Sequence, residues 1–243
     1  MTLLDFRGIK KSFGKREVLK DLSFSVEEGE ILGVIGESGG GKSTLFSILT
    51  GFLESDSGSI LFQGKIINKN SNNYIAKIGF ATQSDRIIEE LTVGENCFYF
   101  GSLMGLKKKE VELRMKELLL FLKLENSENI LVKNLSGGMA KRTNILVSLI
   151  HNPPLLILDE PTTGLDPLLR KKFWEYIHQI KNRMQTTVLV ASHLLDEIEE
   201  NCDRIVFLKD GRIIASGSPA QFRNTYKLPL QKIFELISQN EDN

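Results

Sequence analysis

The sequence lacks an apolar run long enough to cross a membrane, since its longest such runs, 118–122 and 155–158, span only a few residues. A helix that spans a bilayer needs about 20 consecutive apolar residues. The N-terminal region also lacks the basic and then apolar pattern of a secretory signal peptide. We therefore expect a soluble, cytoplasmic chain, which a partner would hold at the inner face of the cell membrane if it acts there.

Cysteine is scarce, and neither sign of charge dominates. Cys97 and Cys202 lie far apart without the spacing of a metal site, so we expect two reduced thiols. The 31 basic residues balance the 31 acidic residues, so no net field attracts nucleic acid. The sequence also lacks internal repeats and low-complexity tracts. These absences favour a globular protein with no nucleic-acid partner.

What the sequence does contain is a glycine-rich loop, 36–44, which follows an apolar run of strand length and precedes a helical pattern. Its residues are Gly36, Glu37, Ser38, Gly39, Gly40, Gly41, Lys42, Ser43 and Thr44. Glycines let the backbone turn several N–H groups towards one anion, and the start of the following helix adds its positive end. Lys42 can reach terminal phosphates, and the Ser43 hydroxyl can ligate Mg²⁺. Strand, loop and helix together predict a phosphate-binding site.

Hydrophobic patterns place this loop in an α/β protein. Strands are predicted at 3–13, 18–19, 22–26, 59–63, 77–83, 155–158 and 186–191, with a hairpin at 204–216. Helices are predicted at 107–124, 136–149, 194–201 and from Ser218 onwards, with a helical apolar set at Val93, Phe98, Phe100, Leu103 and Met104. The expected parts are an α/β core with a β subdomain (1–84 and 151–218), a helical subdomain (85–150) and a helical tail (219–243).

Two acids follow the predicted strand at 155–158. Asp159 and Glu160 would lie at the carboxyl end of that strand, where α/β proteins place their ligands. Asp159 could hold Mg²⁺, directly or through water, and Glu160 could polarise a water molecule for attack on a γ-phosphate. The alternative is a pair of exposed acids at a strand end. The phosphate-binding loop elsewhere in the chain favours the functional interpretation.

A second glycine-rich segment, 135–139, opens the predicted helix at 136–149. Ser136, Gly137 and Gly138 could bind an anion through backbone N–H groups, as in the loop at 36–44. Standing alone, the segment would be interpreted as a glycine-rich helix cap.

All these motifs, in this order, resemble the ATP-binding subunit of an ABC transporter, and the resemblance covers essentially the whole chain. The loop at 36–44 resembles Walker A, 155–159 with Glu160 resembles Walker B and the catalytic glutamate, and 135–139 resembles the family signature. Single residues that resemble family positions are Gln83 (Q-loop glutamine), Asp166 (D-loop aspartate), His193 (switch histidine) and Phe13 (adenine-stacking aromatic). Taken singly, Gln83 could be a polar strand end, Asp166 a helix cap and His193 a residue at a helix start.

The resemblance implies the α/β fold of a P-loop NTPase: a mixed sheet with flanking helices, an antiparallel β subdomain and a helical insertion. It implies ATP and Mg²⁺ as cofactors, with Ser43, Gln83 and Asp159 at the metal. It also implies that Glu160 activates water while His193 and Gln83 hold the γ-phosphate. Catalysis of this kind is mostly positioning and charge stabilisation.

The resemblance further implies a head-to-tail pair with two ATP molecules between the subunits. Ser136, Gly137 and Gly138 of one subunit would contact the γ-phosphate that Lys42 of the other subunit binds. Complete motifs in one chain make a homodimer the expectation, with a heteromeric pair as the alternative.

Two residues depart from the usual family pattern. Met139 stands where glutamine is most usual, but Ser136 and the backbone N–H groups remain, so we expect nucleotide binding to survive. Phe13 replaces the commoner tyrosine, which keeps a stacking face and loses a hydroxyl.

A chain with no spanning segment would need a separate integral membrane subunit as its transport path. By resemblance, that subunit would dock near Gln83 and the helical insertion, which makes 84–104, with Phe98, Tyr99 and Phe100, the candidate surface. The alternative is that at least two of these aromatics belong to the core. The signature and the stretch around His193 look most like the drug- or antibiotic-export type.

Two other classes of protein share the phosphate loop. Soluble ABC ATPases of DNA repair or translation usually carry tandem nucleotide domains or long coiled-coil insertions, and this sequence shows neither. A GTPase would need an Asn-Lys-x-Asp segment to recognise guanine, and the nearest match, at 68–71, lacks the acid. A small-molecule kinase would leave the signature at 135–139 unexplained.

Overall fold

The computed structural model describes residues 1–37, 39–67, 72–82 and 87–240, without the side chains of 72, 73 and 240. Its backbone contacts divide the chain into two compact units. The first unit joins Met1–Ile75 to Thr187–Asn243, and the second unit is Ala76–Thr186.

Strands and helices alternate through much of the chain. The strands are β1 (Thr2–Phe13), β2 (Arg16–Glu27), β3 (Ile31–Ile35), β4 (Ser57–Phe62), β5 (Lys65–Ile67), β6 (Ile78–Ala81), β7 (Leu155–Asp159), β8 (Thr187–Ser192), β9 (Arg204–Lys209) and β10 (Arg212–Gly217). The helices are α1 (Lys42–Leu49), α2 (Asn72–Ile75), α3 (Val93–Leu103), α4 (Lys108–Phe121), α5 (Gly137–Leu149), α6 (Pro167–Met184), α7 (Leu195–Asn201), α8 (Pro219–Tyr226) and α9 (Leu230–Asn240), with a 3₁₀ turn at Val132–Asn134. Within the described ranges, no helix is both long enough and apolar enough to cross a membrane.

The first unit contains an antiparallel sheet in the order β2-β1-β4-β5. Alternation along β1 turns Leu4 and Phe6 into the core, and Phe6 stacks on Phe24 of β2 with ring centroids 4.3 Å apart. The single long strand β2 contains both predicted pieces, 18–19 and 22–26. The antiparallel β subdomain is therefore confirmed, whereas the hydrophobic pattern does not predict the short elements β5 and α2.

A second sheet in the first unit carries β10, β9, β3 and β8 in that order. Strand β3 pairs in parallel with β8 and β9, and β10 returns antiparallel to β9. Every residue of β3 and β8 is buried, as in apolar strands that are covered on both faces. Asp210 and Gly211 have φ values of 46° and 77° and form the predicted two-residue turn of the β9–β10 hairpin. The predicted mixed sheet is confirmed.

The second unit combines the parallel pair β6 and β7 with the helices α3 to α6. Strand β7 is apolar and buried up to its last residue, Asp159. On α4, Val111, Met115, Leu118 and Leu119 are buried together, which confirms the predicted amphipathic helix.

The predicted apolar face of α3 is wrong in part. Leu103 is 61% exposed and Phe98 and Phe100 are half-buried, whereas Asn96 and Gly101 are buried. Asn96 can be buried because its side-chain amide forms hydrogen bonds with backbone groups around the start of α3. Gly101 lets α3 approach α4 so closely that a Cβ would lie 2.6 Å from a methyl group of α4. A count of apolar residues cannot identify a face made of a hydrogen-bonded amide and a glycine.

Both cysteines are buried and carry reduced thiols, as expected. Burial first, and the charge of Glu128 second, raise the pKa of Cys97 to about 12. Cys97 therefore stays protonated at neutral pH and is a poor nucleophile.

Candidate functional site

The glycine-rich loop follows β3 and ends at the start of α1, in the predicted order. Gly41, with φ of 107°, is the N-cap residue of the helix and, being a glycine, provides no side-chain cap. The N–H groups at the start of α1 therefore have no intrahelical partners and can bind an anion. Gly40 and Thr44 are half-buried, and Glu37, Gly39 and Ser43 are exposed. Ser38 lies outside the described residues.

Lys42 is held inside this loop. Its ammonium donates hydrogen bonds to the carbonyl oxygens of Gly36 at 2.6 Å and Glu37 at 3.0 Å. Only 7% of the residue is exposed. Both carbonyl partners are neutral, so oxygens of an arriving phosphate can replace them with a stronger, charge-assisted interaction.

Gly36 has no room for a side chain, because a Cβ there would collide with the carbonyl oxygen of Leu208 in β9. We expect Gly36→Ala to lower the free energy of unfolding by about 1–3 kcal/mol, the usual range for overpacking. Urea unfolding of the purified chain measures this loss. The matched control is Gly137→Ala, where the added Cβ would meet no described atom within 4 Å beyond its chain neighbours and the backbone of its own helix. Equal losses in both variants would contradict the proposed collision.

Phe13 ends β1 with 49% of the residue exposed. The Lys11 ammonium lies 5.7 Å from the centre of its ring and forms a 2.8 Å ion pair with Asp56. The hydrogen bond from Lys11, followed by that from the Ser12 N–H, holds the pKa of Asp56 below its usual value. A half-exposed ring at a strand end has the geometry that stacking on a base requires.

His193 is exposed and directly follows β8. The Ser192 hydroxyl accepts a hydrogen bond from the Leu194 N–H at 3.0 Å, which shapes the turn around the histidine. Helix α7 begins at Leu195, so His193 lies in the turn between β8 and α7.

Glu160 directly follows β7 and has a φ of 49°, in the left-handed region that non-glycine residues seldom adopt. It is only 9% exposed, and its carboxylate accepts a hydrogen bond from the Thr163 hydroxyl at 3.4 Å. Asp159 is half-buried at the end of the strand. Strained backbone of this kind is concentrated at functional sites. Thr163 was not among the predicted site residues, because its only sequence signal is its place three residues after Glu160.

The second glycine-rich segment begins α5. The Ser136 hydroxyl accepts a hydrogen bond from the Met139 N–H at 3.3 Å and caps the helix. Ser136 and Gly137 are exposed, and Gly138 is half-buried. The interpretation as a helix cap is therefore confirmed, and the exposed segment also remains accessible to a ligand.

Asp166 caps α6 in the same way. Its carboxylate accepts a hydrogen bond from the Leu169 N–H at 3.0 Å, and Pro167 is the first helical residue. The predicted cap is confirmed.

The predicted site residues are distributed over both units. The first unit holds Phe13, the loop at 36–44 and His193, and the second unit holds the segment 136–138 and the acids Asp159, Glu160 and Asp166. Gln83 lies outside the described residues.

The glycine-rich loop between a buried parallel strand and a helix, within a mixed α/β sheet, defines a P-loop NTPase. Residues 19–163 match the family model described as ABC transporter. The chain therefore belongs to the ABC transporter family, as an ATP-binding subunit and an ATPase. The predicted fold and family are confirmed.

Curated relatives agree with this assignment. The chain is 38% identical over 216 residues to the Nod factor export ATP-binding protein I of Burkholderia lata, which covers 89% of this chain and 71% of the relative. It is also 38% identical over 216 residues to the linearmycin resistance ATP-binding protein LnrL of Bacillus subtilis, with 89% and 69% covered.

Solved structures agree as well. A structure of an ATP-binding subunit of an ABC transporter superposes with a TM-score of 0.86 at 29% identity, over 97% of this chain and 99% of that chain. The ADP conformation of an ATP-binding cassette of an ABC transporter superposes with a TM-score of 0.84 at 28% identity, over 96% and 98%.

Proposed function

We propose that two chains pair head-to-tail around two Mg-ATP and drive the export of a substrate through a separate membrane protein. The observation that carries the proposal is Lys42, whose ammonium is held by the carbonyls of its own glycine-rich loop at a helix start with glycine as its N-cap residue. This arrangement presents a cation and several N–H donors to one anion. Triphosphate binding is the function that it supports best.

Different residues would bind different parts of ATP. The backbone N–H groups at 39–44 would bind the phosphate oxygens, and Lys42 would exchange its carbonyl partners for the terminal phosphates. Phe13 would stack on the adenine, where a ring without a hydroxyl contributes little base selectivity.

The candidate metal residues fit Mg²⁺ in their chemistry. Ser43 offers an exposed hydroxyl at the start of α1, and Asp159 offers a half-buried carboxylate at the end of β7. Mg²⁺ prefers such oxygen ligands together with water and substrate phosphates. Ser43, Asp159 and Gln83 would hold the ion, which when bound neutralises charge on the phosphates.

Glu160 is the proposed general base. Its carboxylate is nearly buried, and the Thr163 hydroxyl orients it. It would accept the proton of the water that attacks the γ-phosphate, while His193 and Gln83 would bind the γ-phosphate oxygens.

The second anion-binding segment would act on the partner's ATP. Ser136, Gly137 and Gly138 are at the surface of α5, where another subunit can reach them. A homodimer would place two equivalent sites between the subunits. A heterodimer with a related ATP-binding subunit would use the same surfaces.

Export is proposed from the relatives, whose names refer to Nod factor export and linearmycin resistance.

The membrane partner would dock at 84–104, of which Ser84 lies outside the described residues. On α3, Tyr99 is 46% exposed and Leu103 61% exposed. The alternative that at least two of the aromatics at 98–100 are core residues is wrong, because Phe98 and Phe100 are only half-buried. A chain docked in this way would be peripheral on the inner face of the membrane.

The proposal is tested by purifying tagged Glu160→Gln chain with ATP from detergent-solubilised native membranes. We expect a polytopic membrane protein to co-purify and to stimulate the ATPase activity of the wild-type chain. Recovery of only soluble partners or ribosomes would overturn the transport assignment and leave the ATPase assignment standing.

A second arm of this experiment tests the docking surface. Tyr99→Ser/Leu103→Ser should lose the membrane protein and keep ATP binding. The matched control is Leu113→Ser/Leu120→Ser on α4, where the two leucines are 68% and 66% exposed. Equal recovery with both double variants would contradict docking at α3.

A further inference from the structure

The second unit contains a cavity of about 130 Å³, and Gly138 is the one residue of its described lining that is also proposed to bind ATP. The end of α4, the first half of α5 and the first half of α6 form its walls. Four cationic side chains line it: Lys123, Lys141, Arg142 and Lys172. The rest of the described lining is uncharged and forms an apolar floor: Gly138, Leu165, Leu169, Phe173 and Tyr176.

The charge of this cavity is one-sided. None of the described residues that line it is acidic. The chain as a whole has 31 basic and 31 acidic residues, so the excess is local and does not reflect a basic protein. Several cations that face one small concave space attract an anion more strongly than the same charges spread over a surface.

The position of Arg142 shows that one of these cations is built into the fold. Its Nε donates to the carbonyl oxygen of Gly138 at 3.2 Å, and its Nη1 donates to those of Leu122 at 3.1 Å and Lys123 at 3.4 Å. These carbonyls orient the guanidinium without neutralising it. An oriented guanidinium presents its remaining N–H groups at little further loss of conformational freedom.

The three lysines reach the cavity from three parts of the second unit, and Lys141 shares α5 with Arg142. Lys123 follows α4 in a left-handed conformation with φ of 54°, and its N–H donates to the carbonyl oxygen of Leu120 at 3.2 Å. Lys172 lies on α6. Both are exposed at the rim, where their ammonium groups can move onto a ligand.

We propose that this cavity binds a phosphate group carried by a small apolar body. Arginine and lysine are common phosphate-binding residues. A phosphate with two negative charges interacts with several cations more favourably than a carboxylate with one. The volume suits the phosphate and a few carbon atoms, since sites for drug-sized ligands run from about 300 Å³ upwards. The apolar floor favours an organic phosphate over the inorganic ion.

The experiment uses the full chain with its glycine-rich loop filled by saturating Mg-ADP, so that phosphate binding in that loop does not contribute. The probe is phenyl phosphate, measured by calorimetry at low ionic strength. Lys123→Gln/Lys172→Gln should weaken binding about tenfold, since it removes two of the four cations. The matched control, Lys109→Gln/Lys116→Gln on α4, makes the same change in charge and should stay within about twofold. The Mg-ADP affinity of each variant checks that its fold is intact.

The phosphate could come from a soluble metabolite or from a lipid headgroup, and a second arm distinguishes these sources. The same variants are sedimented with phosphatidylcholine vesicles with and without phosphatidic acid. Loss of phenyl phosphate binding alone supports a soluble ligand, and loss of binding to phosphatidic acid vesicles supports a lipid. Equal effects of the cavity variant and its control in both arms, or no binding of either probe to the wild-type chain, would overturn the proposal.

Discussion

Glu160→Gln is expected to lower the rate of ATP hydrolysis by about 10²–10⁴-fold, the contribution of a positioned general base, while ATP still binds. Glutamine keeps the shape of the side chain and can accept the hydrogen bond of Thr163. It cannot accept the proton of the attacking water. Single-turnover hydrolysis and equilibrium binding of ATP measure the two effects separately.

The control for this variant is Glu175→Gln, which neutralises an exposed acid on α6 in the same unit. It should hydrolyse ATP at the wild-type rate. Hydrolysis at the wild-type rate by Glu160→Gln itself would show that another group is the base. The strained φ of 49° at Glu160 would then be a feature of the turn alone.

Lys42→Ala is expected to weaken ATP binding by about 10- to 100-fold, because a hydrogen bond to a charged group contributes about 1.5–3 kcal/mol. Hydrolysis should fall further, since the ammonium also stabilises charge on the phosphates as they separate. Binding of a fluorescent ATP analogue measures the first effect. Lys133→Ala, at an exposed lysine of the 3₁₀ turn, is the control and should bind like the wild type.

The two variants separate binding from chemistry. Lys42 holds the carbonyls of Gly36 and Glu37 together, so Lys42→Ala should also lower the free energy of unfolding of the ATP-free chain by about 1–3 kcal/mol. Glu160→Gln should leave the free energy of unfolding unchanged. If Lys42→Ala bound ATP with wild-type affinity, the loop at 36–44 would not be the phosphate site.

Features with a short sequence span were the ones that could be predicted. The strand, loop and helix around 36–44, the caps at Ser136 and Asp166 and the hairpin turn at Asp210 each depend on residues within one or two turns of the chain. Local backbone sterics and orphan N–H groups decide these structures, and both can be read from residue types.

Features that depend on contacts between segments distant in the sequence could not be predicted. The buried face of α3 includes Asn96, whose amide is satisfied by backbone groups, and Gly101, which permits contact with α4. The cationic cavity brings together Lys123, Arg142 and Lys172 from three elements. Their clustering follows from tertiary packing, which no single segment of the sequence encodes.

The ATP-dependent pairing of two chains is tested most directly by sedimentation velocity of Glu160→Gln with and without Mg-ATP. The slow hydrolysis of this variant should trap the pair, so we predict a monomer without nucleotide and a dimer with ATP. Adding Ser136→Arg should remove the dimer and leave ATP bound, because the arginine would obstruct the surface that contacts the partner's γ-phosphate. A Glu160→Gln chain that binds ATP and remains monomeric at high protein concentration would contradict the head-to-tail pair.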